Sequence, residues 1–239
     1  MPDRLTDVWV YLAASPLLSL TMTLIAYQAA SFVYRKAGST ALLNPVLVTV
    51  ILVVAALTLT GTSYQTYFEG AQFIHFLLGP ATVALAIPLY RQFDKVRQSA
   101  AAIAASLLTG SLTAIVSAVG LGLLLRADPI SLIALAPKSA TAPVAMGIAE
   151  KLGGLPSLTA VLVIATGILG AALGPVLLDA LGIRDPAARG FSLGTASHGI
   201  GTARALQESE VAGAFSGLAM GLNALATAIL LPLIWALVF

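Results

Sequence analysis

Runs of about twenty residues with almost no charged side chain recur along this chain and leave few options for its fold. A helix needs ~20 residues to cross a hydrocarbon core about 30 Å thick. Stretches near Val8 to Val33, Leu42 to Thr60, Phe73 to Tyr90, Ser99 to Leu125, Leu155 to Leu181 and Ala212 to Val238 meet or approach that length. The strands of a membrane barrel would instead read as short alternating segments. With 59% apolar residues and 9% charged, against roughly 25% charged in soluble domains, the expected fold class is an all-α integral membrane protein. The first run is too long, and too polar at Thr21, Thr23 and Gln28, for a signal-peptide core, so it is expected to remain as a helix.

The remaining charges say how such a bundle lies. Arg35 and Lys36 end the first run, while Arg91, Lys95 and Arg97 follow the third. The positive-inside rule puts both connections in the cytoplasm. The loop between them, expected over residues 61–72, holds Glu69 and no Lys or Arg, which fits the other face and an outside N-terminus. A net charge of +2, with basic residues scattered at segment ends, implies no nucleic-acid partner. With no cysteine there is no disulfide framework, thiolate metal site or haem attachment.

Two apolar stretches in the second half are interrupted. In ISLIALAPKSATAPVAMGIAEKL, Pro137 and Pro143 bracket Lys138, Ser139 and Thr141, and a proline removes a backbone donor and clashes with the preceding turn. In DPAARGFSLGTASHGIGTARAL, Gly194, Gly199 and Gly201 permit backbone conformations that a helix interior penalises. The spacing predicts seven or eight membrane elements, two of them discontinuous or re-entrant, broken at Pro137 to Pro143 and Thr195 to Gly201 and facing one another. Irregular backbone at membrane depth has to be buried in protein or line a wet cavity, so both breaks point to a site. A faint echo at an offset of about 140 residues, with AGSTALLNP beside LGIRDP and Pro88 beside Pro232, suggests an internal repeat. Residues 1–97 and 153–239 form its two copies, and 98–152 the middle elements with the first break. Chance likeness within apolar sequence is the alternative. If the segment from Pro129 to Leu152 spans, the copies are inverted; if it re-enters, they are parallel, with Arg184 and Arg189 inside.

The candidate binding residues gather at these breaks. Lys138, at bilayer depth, needs an anion or a carbonyl, and a small carboxylate would serve, with Ser139 and Thr141 as further donors; a solvated interfacial loop is the alternative. His198 has the one side chain whose ordinary pKa suits proton exchange near neutrality, and is a proton-coupling candidate or else a structural bridge. Thr195, Ser197, Gly199, Gly201, Thr202 and Arg204 complete the second break. Arg204 suits a bidentate carboxylate contact, or it is an interfacial anchor paired with Glu208 four residues on. Asn223 joins the set from the last helix, where its default role is a hydrogen bond between helices. His75 and His198 lack metal-ligand spacing, His75 is assigned no site, and no nucleophile-base pair or phosphate loop appears; neither an enzyme, a metal nor a cofactor is expected.

APKSATAPVAMGIAEKLGGLPSLTA at 136–160, GPVLLDALGIRDPAARGFSLGTASHGIGTARAL at 174–206 and SGLAMGLNALATAILLPL at 216–233 resemble the LrgB/CidB family. The likeness covers nearly the whole chain as a single LrgB-type transmembrane domain over 1–239, with conservative departures such as Ala140 and Gly199. It implies a multi-pass protein of the bacterial inner membrane, working beside a smaller LrgA/CidA-type membrane partner, and related to the C-terminal half of the plastid glycolate/glycerate translocator. Two functions follow from the resemblance. One is export of small monocarboxylates such as glycolate, glycerate, lactate or pyruvate, coupled to an ion; the other is holin- or antiholin-like control of murein hydrolase activity and lysis. The broken helices favour export at this point. Small-residue helix faces also suit a homodimer within the lipid.

Overall fold

The computed structural model describes residues 16–37, 43, 45–84 and 86–238, and among them every regular element is an α-helix. Four helical stretches, Leu17–Lys36, Ala100–Leu124, Pro156–Ala180 and Glu210–Leu237, are long and apolar enough to cross a membrane, which makes this a multi-pass membrane protein. The chain forms two compact units, Met1–Ala84 and Leu85–Phe239.

The first unit holds α1 (Pro16–Lys36), α2 (Pro45–Thr60) and α3 (Tyr64–Ala84), with α1 packed on both others. The expected start of the first run, from Val8 to Ser15, lies outside the described residues. The polar loop expected over 61–72 contracts to Gly61–Ser63. Gly61 ends α2 at φ 66°, and the Ser63 hydroxyl accepts the Thr66 amide at 3.1 Å, starting the next helix at once. Tyr64 then stacks on Phe68 at 5.8 Å, and the Tyr67 and Thr23 hydroxyls bond at 2.8 Å, so a stretch that reads as polar loop acquires a packed helical face.

The second unit runs α4 (Ala86–Arg91), α5 (Phe93–Gln98), α6 (Ala100–Leu124), α7 (Pro129–Leu135), α8 (Ala142–Lys151), α9 (Pro156–Ala180), α10 (Pro186–Glu208) and α11 (Glu210–Val238). Of the expected third run, Phe73 to Tyr90, residues 73–84 are in α3 and 86–90 in α4, with Leu85 outside the described residues. Long helices α6, α9 and α11 form a frame that holds two helical hairpins.

The second hairpin is α10 itself. Arg189 near its start donates to Glu208 at its end, Nε to Oε2 at 2.9 Å, whereas a straight helix would set residues that far apart in sequence about 28 Å apart. The fold-back lies at Ser197 (φ −129°, ψ 16°) and His198 (φ 42°, ψ −133°). Arms 186–196 and 199–208 then lie side by side, and Leu193 and Ala205 share a core cluster with Leu178 and Ala212. The first hairpin consists of α7, a turn at 136–141, and α8. Its Ala136 and Ile148 pack with Ile115 and Leu231 toward the other end of the frame. The hairpins thus enter from opposite ends. Each begins with an Asp-Pro pair: Asp128 and Asp185 accept the amides of Ser131 at 3.0 Å and Ala188 at 2.8 Å, and Pro129 and Pro186 take the first helical position, where no amide is needed.

Candidate functional site

The two hairpin tips meet at one asparagine. Asn223, 1% exposed on α11, donates from Nδ2 to the Ser139 carbonyl of the first tip at 3.0 Å and to the Thr195 carbonyl beside the second at 3.1 Å. Its Oδ1 accepts the Ser111 hydroxyl of α6 at 2.6 Å. Both carbonyls lie beside helix interruptions, where backbone acceptors need partners from outside the helix. One side chain therefore satisfies both breaks and ties α6, α11 and the hairpins together.

Around this junction the second tip is narrower than expected. Only Ser197 and His198 leave helical geometry, not the whole segment from Thr195 to Gly201. The Thr195 hydroxyl donates back to the Phe191 carbonyl at 2.9 Å, and the Thr202 hydroxyl to the His198 carbonyl at 2.9 Å, with Ser216 Oγ at 3.0 Å. Nor do the glycines mainly bare amides. A Cβ on Gly190 or Gly194 would run into the backbone carbonyls of Ala212 or Ser216, and one on Gly201 into that of Leu193, so these positions let the two arms and α11 approach to backbone contact. Gly199 is exposed.

His198 is buried, and its Nε2 lies 2.9 Å from the Val163 carbonyl of α9. Its neighbour Ser197 is 1% exposed, and among the described residues its hydroxyl is the one buried side-chain polar atom with no hydrogen-bond partner. Across from them, at the first tip, Lys138 is half-buried. Its ammonium donates to the Ser139 hydroxyl at 3.3 Å and lies close enough to act electrostatically on the His198 ring. None of the carboxylate ion pairs among the described residues involves Lys138. Thr141 holds the N-cap position of α8 with its side chain half-buried and making no cap bond.

Arg204 stands apart. It lies down the return arm and donates to Gln207 at 3.3 Å, while the Glu208 carboxylate, its expected partner, is held by Arg189 through two bonds, at 2.9 and 3.3 Å. Arg189 also bonds Asp179 at 2.6 Å and the Ile183 carbonyl at 2.9 Å, closing the base of the α10 hairpin onto the end of α9. The described residues contain no cluster of three or more His, Asp or Glu that could hold a metal.

A family model described as LrgB-like matches residues 23–237. The chain belongs to the LrgB-like family. An uncharacterised protein of Bacillus subtilis is 38% identical over 93% of this chain and 96% of its own length. The antiholin-like protein LrgB of the same organism is 31% identical over 91% of this chain and 94% of its own. The holin-like protein CidB of Staphylococcus epidermidis is 33% identical, again over 91% and 94%. No solved structure matches. The relatives' names favour the lysis-control expectation over carboxylate export.

In this LrgB-like chain, sequence reasoning missed Ser111, Ser216, the Val163 carbonyl and Gly167 and Gly170 of α9. A lone serine in an apolar helix carries no spacing signal. The hairpin starts did carry one, in the two Asp-Pro pairs.

Proposed function

We propose that this LrgB-like chain acts in a bacterial inner membrane as a component of a holin/antiholin system, beside a smaller LrgA/CidA-type membrane protein. The observation that carries the reading is whole-length likeness: relatives named antiholin-like and holin-like align over 91% of this chain and 94% of their own. Both hairpins are read as re-entrant, so α1, α2, α3, α6, the α7–α8 hairpin, α9, the α10 hairpin and α11 make eight membrane elements. Arg91 pairs with Glu210 at the start of α11 at 3.1 Å, which supports one common end for Arg91, Arg184 and Arg189. By the positive-inside rule that end is cytoplasmic, the re-entrant alternative of the sequence reading. The test is autolysis of cells expressing the chain with and without its partner; a change in lysis and murein hydrolase activity supports the reading, and no change counts against it.

A second reading, a carrier of small monocarboxylates, is favoured by Lys138. A half-buried ammonium with a neutral hydroxyl as its hydrogen-bond partner and a histidine across from it makes a centre suited to a small carboxylate. Ser139 bonds the ammonium directly, and Thr141, Ser197, His198 and Asn223 are the further candidate polar groups at the two tips. Reconstituted vesicles separate the two: a carrier takes up labelled glycolate or lactate saturably and with competition, and a pore leaks larger uncharged solutes without saturation. Neither reading involves catalysis, a cofactor or a metal.

A further inference from the structure

The α10 hairpin is held very differently on its two sides. Against α11 it makes backbone-to-backbone contact at Gly190 and Gly194, adds the Thr202–Ser216 hydroxyl bond, and places the Thr195 carbonyl on Asn223. Against α9 it meets a row of glycines. Gly167 faces the His198 ring, with 2.6 Å from its would-be Cβ to Cε1; Gly170 lies against the Ser197 hydroxyl; and Gly174 faces Leu193, 2.6 Å from Cδ2. One hydrogen bond near the tip crosses this seam, His198 Nε2 to the Val163 carbonyl. At the far end Arg189 gathers Glu208, Asp179 and the Ile183 carbonyl.

One feature makes the closed seam costly at its tip. The Ser197 hydroxyl is buried without a partner, which water would supply on opening. Parting from α9 relieves it and breaks one bond near the tip, whereas parting from α11 breaks the bonds at Ser216 and Asn223 and leaves Ser197 closed against Gly170. We propose that the α9–α10 seam is the gate of this protein, hinged at Arg189 and latched by His198, and that its opening at the tip admits a small anion to Lys138. The identity of the solute rests on the carrier reading; the motion of the seam does not.

The chain has no cysteine, so an introduced thiol reports alone. With a membrane-impermeant methanethiosulfonate on both sides of the membrane, Ser197→Cys should label about tenfold or more faster than Ser216→Cys, although both positions are fully buried, because local opening differs between the two faces. Should Ser197→Cys fail to insert, Gly174→Cys reports on the same seam. Equal or slower labelling at the seam overturns the proposal. The would-be Cβ of Gly174 lies 4.0 Å from Leu193 Cγ, so the pair Gly174→Cys and Leu193→Cys, away from the polar tip, should cross-link on oxidation and stop lactate uptake, with recovery on reduction. Unchanged uptake by the cross-linked protein also overturns the gate. If the unmutated protein takes up no carboxylate, the carrier reading fails, and the labelling contrast still decides the seam.

Discussion

Asn223 answers for three partners at once, so its loss should register in stability before anything else. Asn223→Ala removes three buried hydrogen bonds, those to the Ser111 hydroxyl and to the carbonyls of Ser139 and Thr195. At ~1 to 3 kcal/mol for each buried group without a partner, the expected cost is roughly 3 kcal/mol or more. Thermal unfolding in detergent should show a clear drop. Lys138 should behave in the opposite way. Its hydrogen-bond partner is a neutral hydroxyl, so Lys138→Ala removes a poorly solvated charge and should leave thermal stability unchanged or raised. On the carrier reading the same variant should weaken carboxylate binding by roughly 30-fold or more, since removing one partner of a desolvated charge pair commonly costs ~2 to 5 kcal/mol. Lower stability with unchanged affinity would mark the lysine as a structural residue.

Among the elements, the hairpins are where sequence and structure part. Both interruptions were legible: Pro137 and Pro143 broke one helix, and the glycines around His198 marked the other. The fold-back of α10 was not, because a contact between Arg189 and Glu208 leaves no periodic trace, and the i+4 spacing of Arg204 and Glu208 offered a plausible local pair in its place. The tip also proved tighter, since Thr195 and Thr202 satisfy carbonyls of their own arms rather than facing outward. Likewise Tyr64 to Gln72 looked like loop until Ser63 capped it and Tyr67 found Thr23. The close approach of α10 to α11 predicts that Gly194→Ala, which drives a methyl into a backbone carbonyl, costs ~3 kcal/mol. Gly147→Ala, with nothing within 4 Å, should be neutral or stabilising by up to ~1 kcal/mol; melting curves of the two variants make the comparison. The cap of the first hairpin adds a pH effect. The Ser131 hydroxyl and amide hold the Asp128 carboxyl below its ordinary value of 3.8. A depressed carboxyl stabilises the fold above that value and loses its contribution as pH falls through the lowered one. Asp128→Asn should therefore flatten the acid limb of the stability profile by lowering the plateau near neutrality, since an amide nitrogen cannot accept the Ser131 hydroxyl.

For the whole molecule, likeness to holin-like and antiholin-like relatives and a frame of three long helices around two opposed hairpins both have to be accommodated. A lesion-forming protein has no evident need for hairpin tips pinned at a common asparagine, whereas a regulator or a carrier can use an element that has two positions. The measurement that bears most directly on the proposed role is autolysis in cells carrying the chain with its LrgA/CidA-type partner, read beside membrane abundance of the chain. Lysis rate and murein hydrolase activity should shift relative to cells lacking the chain, and Asn223→Ala should abolish the shift. Unaltered lysis with the chain abundant in the membrane would contradict the role, and saturable carboxylate uptake by vesicles containing the same protein would then establish the carrier in its place.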